Sequence, residues 1–437
     1  MLTPNARHTA SISITPKFVR ALLLQMMTLL LSSLVQAQTS IGAPAAAQRE
    51  AEPRALKVGE PIERELAGDQ THSYQITLSA GQYLSVLVEQ RGIDVAVVLF
   101  APDGKQLFEF DNERRLQGSE TIWQVAEMSG SFRLTVLATK KEATAGRYEI
   151  RLTELRDATE QDRTLQEARR LNVEGDRLFR AGKYDEARPL IERSLEMREQ
   201  TLGTEHPDVA QSLNRLGAII YSSKPDYDKA EPLYQRALVI REKVLGPDHL
   251  EVSASLNNLA ALYIRKGDDA KAEPLYQRAL AIREKVLGPD HSDVALNLVL
   301  LGNLYQSIFD FAKAEPLLQR ALLIQEKAMG PNHPIVADYL AVFAILFLKE
   351  GNYSKSVTLF QRALTIKEKA EGPESLQVAN ALYYLAISLA NNGEYSKAEP
   401  LFQRSLTIKE KALEPDHPSL ATSLNALADF YRRAGNY

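Results

Sequence analysis

The feature that most constrains this chain is a stretch that recurs at a fixed distance. Residues 271–291 have close copies further along, and their first lysine returns at Lys313, Lys355 and Lys397, a step of 42 residues. Such a period is typical of helical solenoids, in which each helical hairpin buries its apolar face only against neighbouring hairpins. The repeat therefore predicts a stacked array instead of one globular core.

Within one repeat the apolar residues follow helical spacing. They lie 0, 3, 4, 7 and 8 positions after Ala272, on one face of an α-helix, and Gly288 and Pro289 end that helix. Residues 252–263 have the same spacing, so each repeat holds a first and a second helix. Residues 156–437 are predicted to form an all-α superhelical solenoid of six hairpins and a final unpaired helix. We expect the second helices at residues 184–202, 227–245, 269–287, 311–329, 353–370 and 395–413.

This array resembles the tetratricopeptide repeat (TPR) family, specifically the longer repeats of the kinesin light chain type. The resemblance rests on residues 255–263, 272–280 and 283–291. It covers residues 165–437 approximately. The chain departs from the pattern at Ser375, Glu414 and Asp269, none of which breaks the helical spacing. The resemblance implies a concave groove, lined by the first helices, that receives a peptide segment of a partner protein.

The resemblance places groove residues at two positions of each first helix. The residues that occupy one such position in successive repeats are called a column. The first column is Asn214, Asn257, Val299, Ala341, Tyr383 and Asn425; the second is Gln211, Ala254, Leu296, Asp338, Asn380 and Thr422. From them we predict the peptide-binding residues Asn214, Asn257, Val299, Asp338, Asn380, Tyr383 and Asn425. Amides at the ends suit a peptide backbone, and the apolar middle favours a partner with central hydrophobic anchors. The alternative is that some of these residues pack between repeats.

Five histidines recur with the repeat, which raises the question of a metal site. They are His206, His249, His291, His333 and His417, each at the start of a first helix. Packed helices lie about 10 Å apart, whereas zinc ligands lie about 2 Å from the metal. We therefore interpret them as helix-start residues and expect no metal.

Residues 55–155 follow a different period. Apolar and polar residues alternate, as in residues 74–78, 84–88, 132–136 and 148–152, with turn signals between the runs. This pattern predicts an all-β antiparallel sandwich of seven or eight strands, with residues 95–100 as a strand covered on both faces. Residues 38–54 have too little apolar content to pack and are predicted to be a flexible linker.

The sandwich resembles the pre-peptidase C-terminal domains of exported bacterial proteins. Residues 81–90, 94–104, 129–136 and 145–150 carry this resemblance, which concerns architecture more than activity. Asp94, Asp103 and Asp111 are either calcium ligands or turn residues, and the lack of a compact ligand loop favours turns. Trp123 is either a sugar-stacking platform or a packed aromatic, and we favour packing.

The N-terminus has the pattern of an export signal. Arg7, Lys17 and Arg20 precede the apolar residues 21–34, and small residues near Ala37 suit cleavage there. The alternative is an uncleaved anchor, but this run is shorter than the roughly 20 residues that span a bilayer. We therefore expect a signal peptide at residues 1–37, a periplasmic or secreted protein, and no stable membrane span after cleavage.

The amino-acid composition argues against several classes of function. The chain has no cysteine and a formal net charge of -4 spread evenly, so we expect neither thiolate chemistry nor a nucleic-acid partner. Catalytic and cofactor-binding motifs are absent, so we expect no enzyme, no cofactor, and a protein-protein interaction scaffold.

The domain order supports an alternative function. Signal, sandwich and repeats together resemble the front part of bacterial proteins that continue into a caspase-like (CHAT) peptidase domain, whose regulatory part this chain would then be. The final helix carries an apolar face at Leu424, Leu427 and Ala428 without a partner helix. We expect self-association through that face.

Overall fold

The structure is a computed structural model that describes residues 48–49, 53–68, 70–110, 117–139, 145–223 and 226–435. The predicted signal peptide lies outside the described residues, as does most of the predicted linker. In the described part ten strands precede thirteen helices, which confirms an all-β part followed by an all-α part. No helix among these residues is long and apolar enough to cross a membrane.

The strands form two sheets. They are β1 Gln48–Arg49, β2 Arg54–Ala55, β3 Pro61–Leu66, β4 Gln70–Leu78, β5 Gln82–Arg91, β6 Val95–Phe100, β7 Gln106–Phe110, β8 Gln117–Val125, β9 Gly130–Ala138 and β10 Gly146–Asp157. One sheet has the order β1-β4-β9-β6-β7 with β2 also on β4, and the other has the order β3-β10-β5-β8. Only the two-residue strands β1 and β2 pair in parallel among the described strands.

The alternating residues of both sheets face one core. On β9, Phe132, Leu134 and Val136 are at most 1% exposed, and they join apolar residues of β4, β5, β6, β8 and β10 in one buried cluster. Strand β6 pairs on both edges, with β7 and β9, and five of its six residues are buried. The sandwich and its doubly covered strand are as predicted.

Thirteen helices follow. They are α1 Glu160–Arg180, α2 Tyr184–Leu202, α3 Pro207–Ser222, α4 Tyr227–Leu245, α5 Leu250–Lys266, α6 Asp269–Leu287, α7 Ser292–Ser307, α8 Phe311–Met329, α9 Pro334–Glu350, α10 Tyr353–Glu371, α11 Leu376–Asn391, α12 Tyr395–Ala412 and α13 Pro418–Ala434. Helices α1 to α12 pair as six hairpins in the described chain, and α13 follows them. The second helices α2, α4, α6, α8, α10 and α12 match the predicted ranges to within one residue at each end.

Short polar side chains fix where these helices start. The five repeat histidines cap the first helices: each Nδ1 accepts a hydrogen bond from the backbone N–H two residues ahead, at 3.1–3.3 Å. Ser375 replaces the histidine by accepting from the Val378 N–H at 3.2 Å. The histidines are therefore helix-start residues, as predicted.

The chain forms two compact units. One lies in residues 38–247 and contains the sandwich with α1 to α4; the other lies in residues 248–437 and contains α5 to α13. Strands end at Asp157 and helices begin at Glu160, close to the predicted boundary at 155/156. The first compact unit joins α1 to the sandwich, because Gln166 and Arg169 of α1 hydrogen-bond with β8.

One arginine joins the sandwich to the first helix. Arg169 of α1 donates from Nη1 to the Trp123 carbonyl at 3.0 Å and from Nη2 to Gln124 Oε1 at 2.8 Å. Its guanidinium carbon lies 4.1 Å from the ring centroids of both Trp123 and Phe108. Burial between these rings lowers the pKa of Arg169 to about 10.

Two of the remaining sandwich candidates, Trp123 and Asp103, have the packing and turn roles favoured by the sequence. Trp123 is half-buried, stacks on Tyr83 at 6.3 Å and is covered by Arg169, so it packs at this junction. Asp103 Oδ1 accepts from the Lys105 N–H at 3.0 Å, as in a turn. Asp94 accepts from the Thr139 hydroxyl at 2.7 Å, whereas Asp111 lies outside the described residues. The described part of the chain holds no cluster of three or more metal-ligating side chains.

Candidate functional site

Three of the predicted groove residues are buried. Asn257 of α5 and Asn297 of α7 exchange two amide hydrogen bonds, of 3.1 and 3.0 Å, and Asn257 is 9% exposed. Val299 and Tyr383 are 1% and 4% exposed. These three side chains pack between helices, which is the alternative left open by the sequence, and they present no surface to a peptide.

The second column remains accessible, and its five members in the second compact unit are called the open column below. Ala254, Leu296, Asp338 and Asn380 are half-buried, and Gln211 and Thr422 are exposed. All six lie in the first turns of the first helices. Of the remaining predicted residues, Asn214 is half-buried and Asn425 is exposed.

The predicted apolar floor is closed in part: Val299 and Tyr383 are buried, whereas Ala341 and Leu296 are half-buried. On the same helices but further along, five large apolar side chains are no more than 8% exposed because successive helices cover them: Leu300, Val342, Ile345, Tyr384 and Ile387. The surface open to a partner with central hydrophobic anchors is therefore smaller than the sequence predicted.

The second helices carry a row of mostly cationic side chains that the sequence pattern did not single out; it is called the cation row below. Each second helix carries one member at the same repeat position: Arg198, Arg241, Arg283, Gln325, Lys367 and Lys409. All members except Arg283 are buried, and Gln325 is the one uncharged member. Their recurrence on an otherwise apolar helix face was the signal available in the sequence.

The arginines of the row hold the starts of the first helices. In the first compact unit, Arg198 donates to the Asp208 carbonyl at 2.8 Å and to Gln211 Oε1 at 3.0 Å. Burial lowers the pKa of Arg198, although Asp208 acts in the opposite direction. In the second unit, Arg283 donates to Ser253 Oγ at 2.9 Å and to the Asp293 carbonyl at 3.0 Å.

The two lysines of the row differ in their partners. Lys367 lies 3.0 Å from the carboxylates of Asp338 and Glu371; burial opposes its charge, but these carboxylates outweigh burial and raise the pKa of Lys367. Lys409 instead donates to Ser423 Oγ at 3.0 Å and lies 4.8 Å from the Tyr383 ring centroid. It has no ion pair among the described residues, and burial lowers its pKa to about 8.

The final helix exposes part of the apolar face noted in the sequence. Leu424 is 50% exposed and Ala428 is exposed, whereas Leu427 and Tyr431 pack partly against the preceding helices. Self-association through this face stays a prediction.

Comparison with known families confirms what the repeat geometry indicates. The sequence profile described as tetratricopeptide repeat matches residues 174–224, 218–285, 252–322, 293–369 and 377–437, which together are more than half of the chain. The chain belongs to the tetratricopeptide repeat family. The profile leaves the sandwich of this TPR protein unmatched, so the pre-peptidase resemblance stays a prediction.

Solved structures with kinesin light chain-type repeats are similar to the TPR array. A kinesin light chain with nearly identical TPR-like repeats from Podosopora anserina has 23% identity over 48% of this chain and 97% of its own, with a TM-score of 0.43. BtubC of P. vanneervenii has 21% identity over 60% of this chain and 96% of its own, with a TM-score of 0.44. No curated protein matches the sequence. These similarities concern the fold.

Proposed function

We propose that this TPR protein is a non-catalytic scaffold that binds an acidic segment of a partner protein along the open column. The observation that carries this proposal is Lys409, which donates to Ser423 Oγ and has no ion pair among the described residues. A TPR array supports protein-protein interaction in general, and a cation without a carboxylate of its own favours a partner with negative charge. The hydrophobic anchors expected from the sequence would have fewer accessible contacts, since Val299 and Tyr383 are buried.

The difference between Lys367 and Lys409 supports an acidic partner. Where the chain supplies its own carboxylate, at Asp338, the lysine keeps its charge with a raised pKa. The equivalent of Asp338 two repeats further on is Thr422, and there the pKa of Lys409 is lowered to about 8. A carboxylate of a bound segment near Thr422 would supply the negative charge that Asp338 supplies to Lys367.

The test is peptide selection with the full chain. A random peptide display library should yield segments rich in Asp and Glu, and fluorescence anisotropy then gives their Kd. We expect Asn380→Glu and Thr422→Glu to weaken binding about tenfold, because each puts a like charge beside the acidic segment. Binding should also weaken with added salt, because dissolved ions screen the attraction between the charges of the protein and those of the peptide.

The matched control is Thr365→Glu, which adds the same charge at an exposed position on a second helix. It should leave the Kd unchanged. Selection of apolar instead of acidic peptides, or an equal loss of affinity in the control, would contradict the proposal. Circular dichroism of all variants should show the same helical content.

We also propose that the protein is exported, on the basis of the signal pattern in residues 1–37. Expressed in a bacterial host, the chain should be found outside the cytoplasm with Gln38 as its first residue. N-terminal sequencing of the purified protein measures this. An uncleaved chain retained in the cytoplasm would contradict export.

A further inference from the structure

A tyrosine links one repeat to the next at two places in the second compact unit. The Tyr305 hydroxyl of α7 donates to Glu273 Oε1 of α6 at 2.7 Å and accepts from Gln277 Nε2 at 3.3 Å. Tyr431 of α13 makes the same two bonds with Glu399 and Gln403 of α12, at 2.9 and 3.1 Å. At both places a phenol hydroxyl lies between a carboxylate and an amide.

Between α8 and α9 the carboxylate and the amide are kept, but the hydroxyl is missing. Glu315 and Gln319 occupy the positions of Glu273 and Gln277, while Phe347 replaces the tyrosine. A pocket of about 320 Å³ opens at this place. Its lining consists of Glu315, Gln319, Phe343, Phe347, Lys355, Thr358 and Leu359.

The fourth contact of this kind shows that the polar pair is not needed for stacking. Between α10 and α11, Val357 stands in place of the glutamate and Leu389 in place of the tyrosine. Both belong to one buried apolar cluster, and Leu389 is 3% exposed. Among these four contacts in the described chain, only the one at Phe347 keeps the polar pair without its hydroxyl.

The floor of the pocket is aromatic. The ring centroids of Phe343 and Phe347 lie 4.9 Å apart, and Phe343 stands where the repeats on either side have leucine. Lys355 Nζ lies 4.4 Å from the Phe347 ring centroid and 3.6 Å from the Glu315 carboxylate. Phe343 and Phe347 are 8% and 2% exposed, so the accessible lining of the pocket is polar apart from Leu359, with the Glu315 carboxylate held at its rim.

We propose that this pocket is a second binding site, which takes a tyrosine side chain of a partner protein. The tyrosine ring lies in the pocket between α8 and α10, and its hydroxyl donates to Glu315 and accepts from Gln319, as the Tyr305 hydroxyl does with Glu273 and Gln277. The other aromatic side chains do not match the site. Phenylalanine lacks the hydroxyl, and the tryptophan N–H can donate a hydrogen bond but cannot accept one. The site lies between second helices and is independent of the open column.

The probes are N-acetyltyrosinamide, N-acetylphenylalaninamide and the capped peptide Gly-Tyr-Gly, each titrated against the full chain by saturation-transfer NMR. We expect the tyrosine amide to bind at least fivefold more tightly than the phenylalanine amide, because only tyrosine bonds to the carboxylate. The capped peptide should bind at least as tightly as the tyrosine amide. In Phe347→Tyr the chain's own tyrosine supplies the missing hydroxyl to Glu315 and Gln319. The variant should therefore bind the tyrosine amide at least tenfold more weakly.

Phe347→Tyr introduces the residue already found at positions 305 and 431, so its fold should be kept. Thr365→Tyr, which adds an exposed tyrosine elsewhere on α10, is the matched control and should bind like the parent. Equal affinity for the two amides, no saturation transfer from either, or unchanged binding by Phe347→Tyr would each overturn the proposal. Binding of the free amide but not of the capped peptide would overturn a protein tyrosine as the occupant.

Discussion

Lys349 of α9 should destabilise the folded protein, and its removal should stabilise it. Its Nζ donates to Gln306 Oε1 at 3.3 Å, and Gln306 is fully buried. Burial lowers the pKa of Lys349 from 10.5 to about 7. At 1.36 kcal/mol per pKa unit this shift corresponds to a penalty of up to about 5 kcal/mol at pH 7. Lys349→Met removes the penalty but leaves Gln306 Oε1 without its donor, at about 1–3 kcal/mol.

We therefore expect Lys349→Met to raise the free energy of unfolding by about 2 kcal/mol at pH 7. The pH dependence gives a second, sharper readout. Since the folded-state pKa lies below the unfolded-state value, the unfolded chain binds more protons between pH 7 and 10.5. The stability of the parent should therefore rise by up to about 1.4 kcal/mol per pH unit in this window, relative to the variant.

The assay is urea denaturation followed by circular dichroism at several pH values from neutral to alkaline. The matched control is Lys369→Met, which removes an exposed lysine from α10 and should change stability by less than about 0.5 kcal/mol. A destabilised Lys349→Met variant, or parallel pH profiles for parent and variant, would refute the reasoning.

Three further substitutions test local features. Phe309 has a φ of 61° and is 51% exposed, so Phe309→Gly should relieve backbone strain and stabilise by about 1 kcal/mol in thermal denaturation. Gly302→Ala should destabilise by about 1–3 kcal/mol in the same measurement, because the new Cβ would lie 2.7 Å from Leu318 Cδ2. Arg169→Met should shift the fluorescence of Trp123, the only tryptophan, to longer wavelength by opening the junction.

Each has a control. Phe309→Ala keeps a Cβ at positive φ, so it should not stabilise; if it matches Phe309→Gly, strain is not the cause. Gly302→Ala should be less harmful in a Leu318→Ala background, and an equal loss there would rule out the close contact. Arg170→Met removes an exposed arginine paired with Glu167 at 2.7 Å and should leave the fluorescence unchanged.

Much of the fold was predictable because its signals are local. Helical spacing, the Gly-Pro stops and the capping histidines act over a few residues, so the second helices could be placed to within one residue. Alternation likewise predicted the sandwich. The compact units were not predictable, since they depend on contacts such as that of Arg169 with Trp123 across 46 positions.

The groove was predictable only in part. The sequence placed both columns on the first helices, but it did not show that Asn257 bonds Asn297, 40 positions away, or that Lys409 lies against Ser423. It also kept Glu315 and Gln319 in the repeat pattern without showing the pocket that opens beside Phe347.

By itself, then, the sequence determined the repeat, its helices and the family to which it belongs. Tertiary structure alone decided which repeated positions are open and which cations have a carboxylate partner. The physical reason is that periodicity records what every repeat shares, whereas burial and pairing depend on the particular side chains that neighbouring repeats bring together.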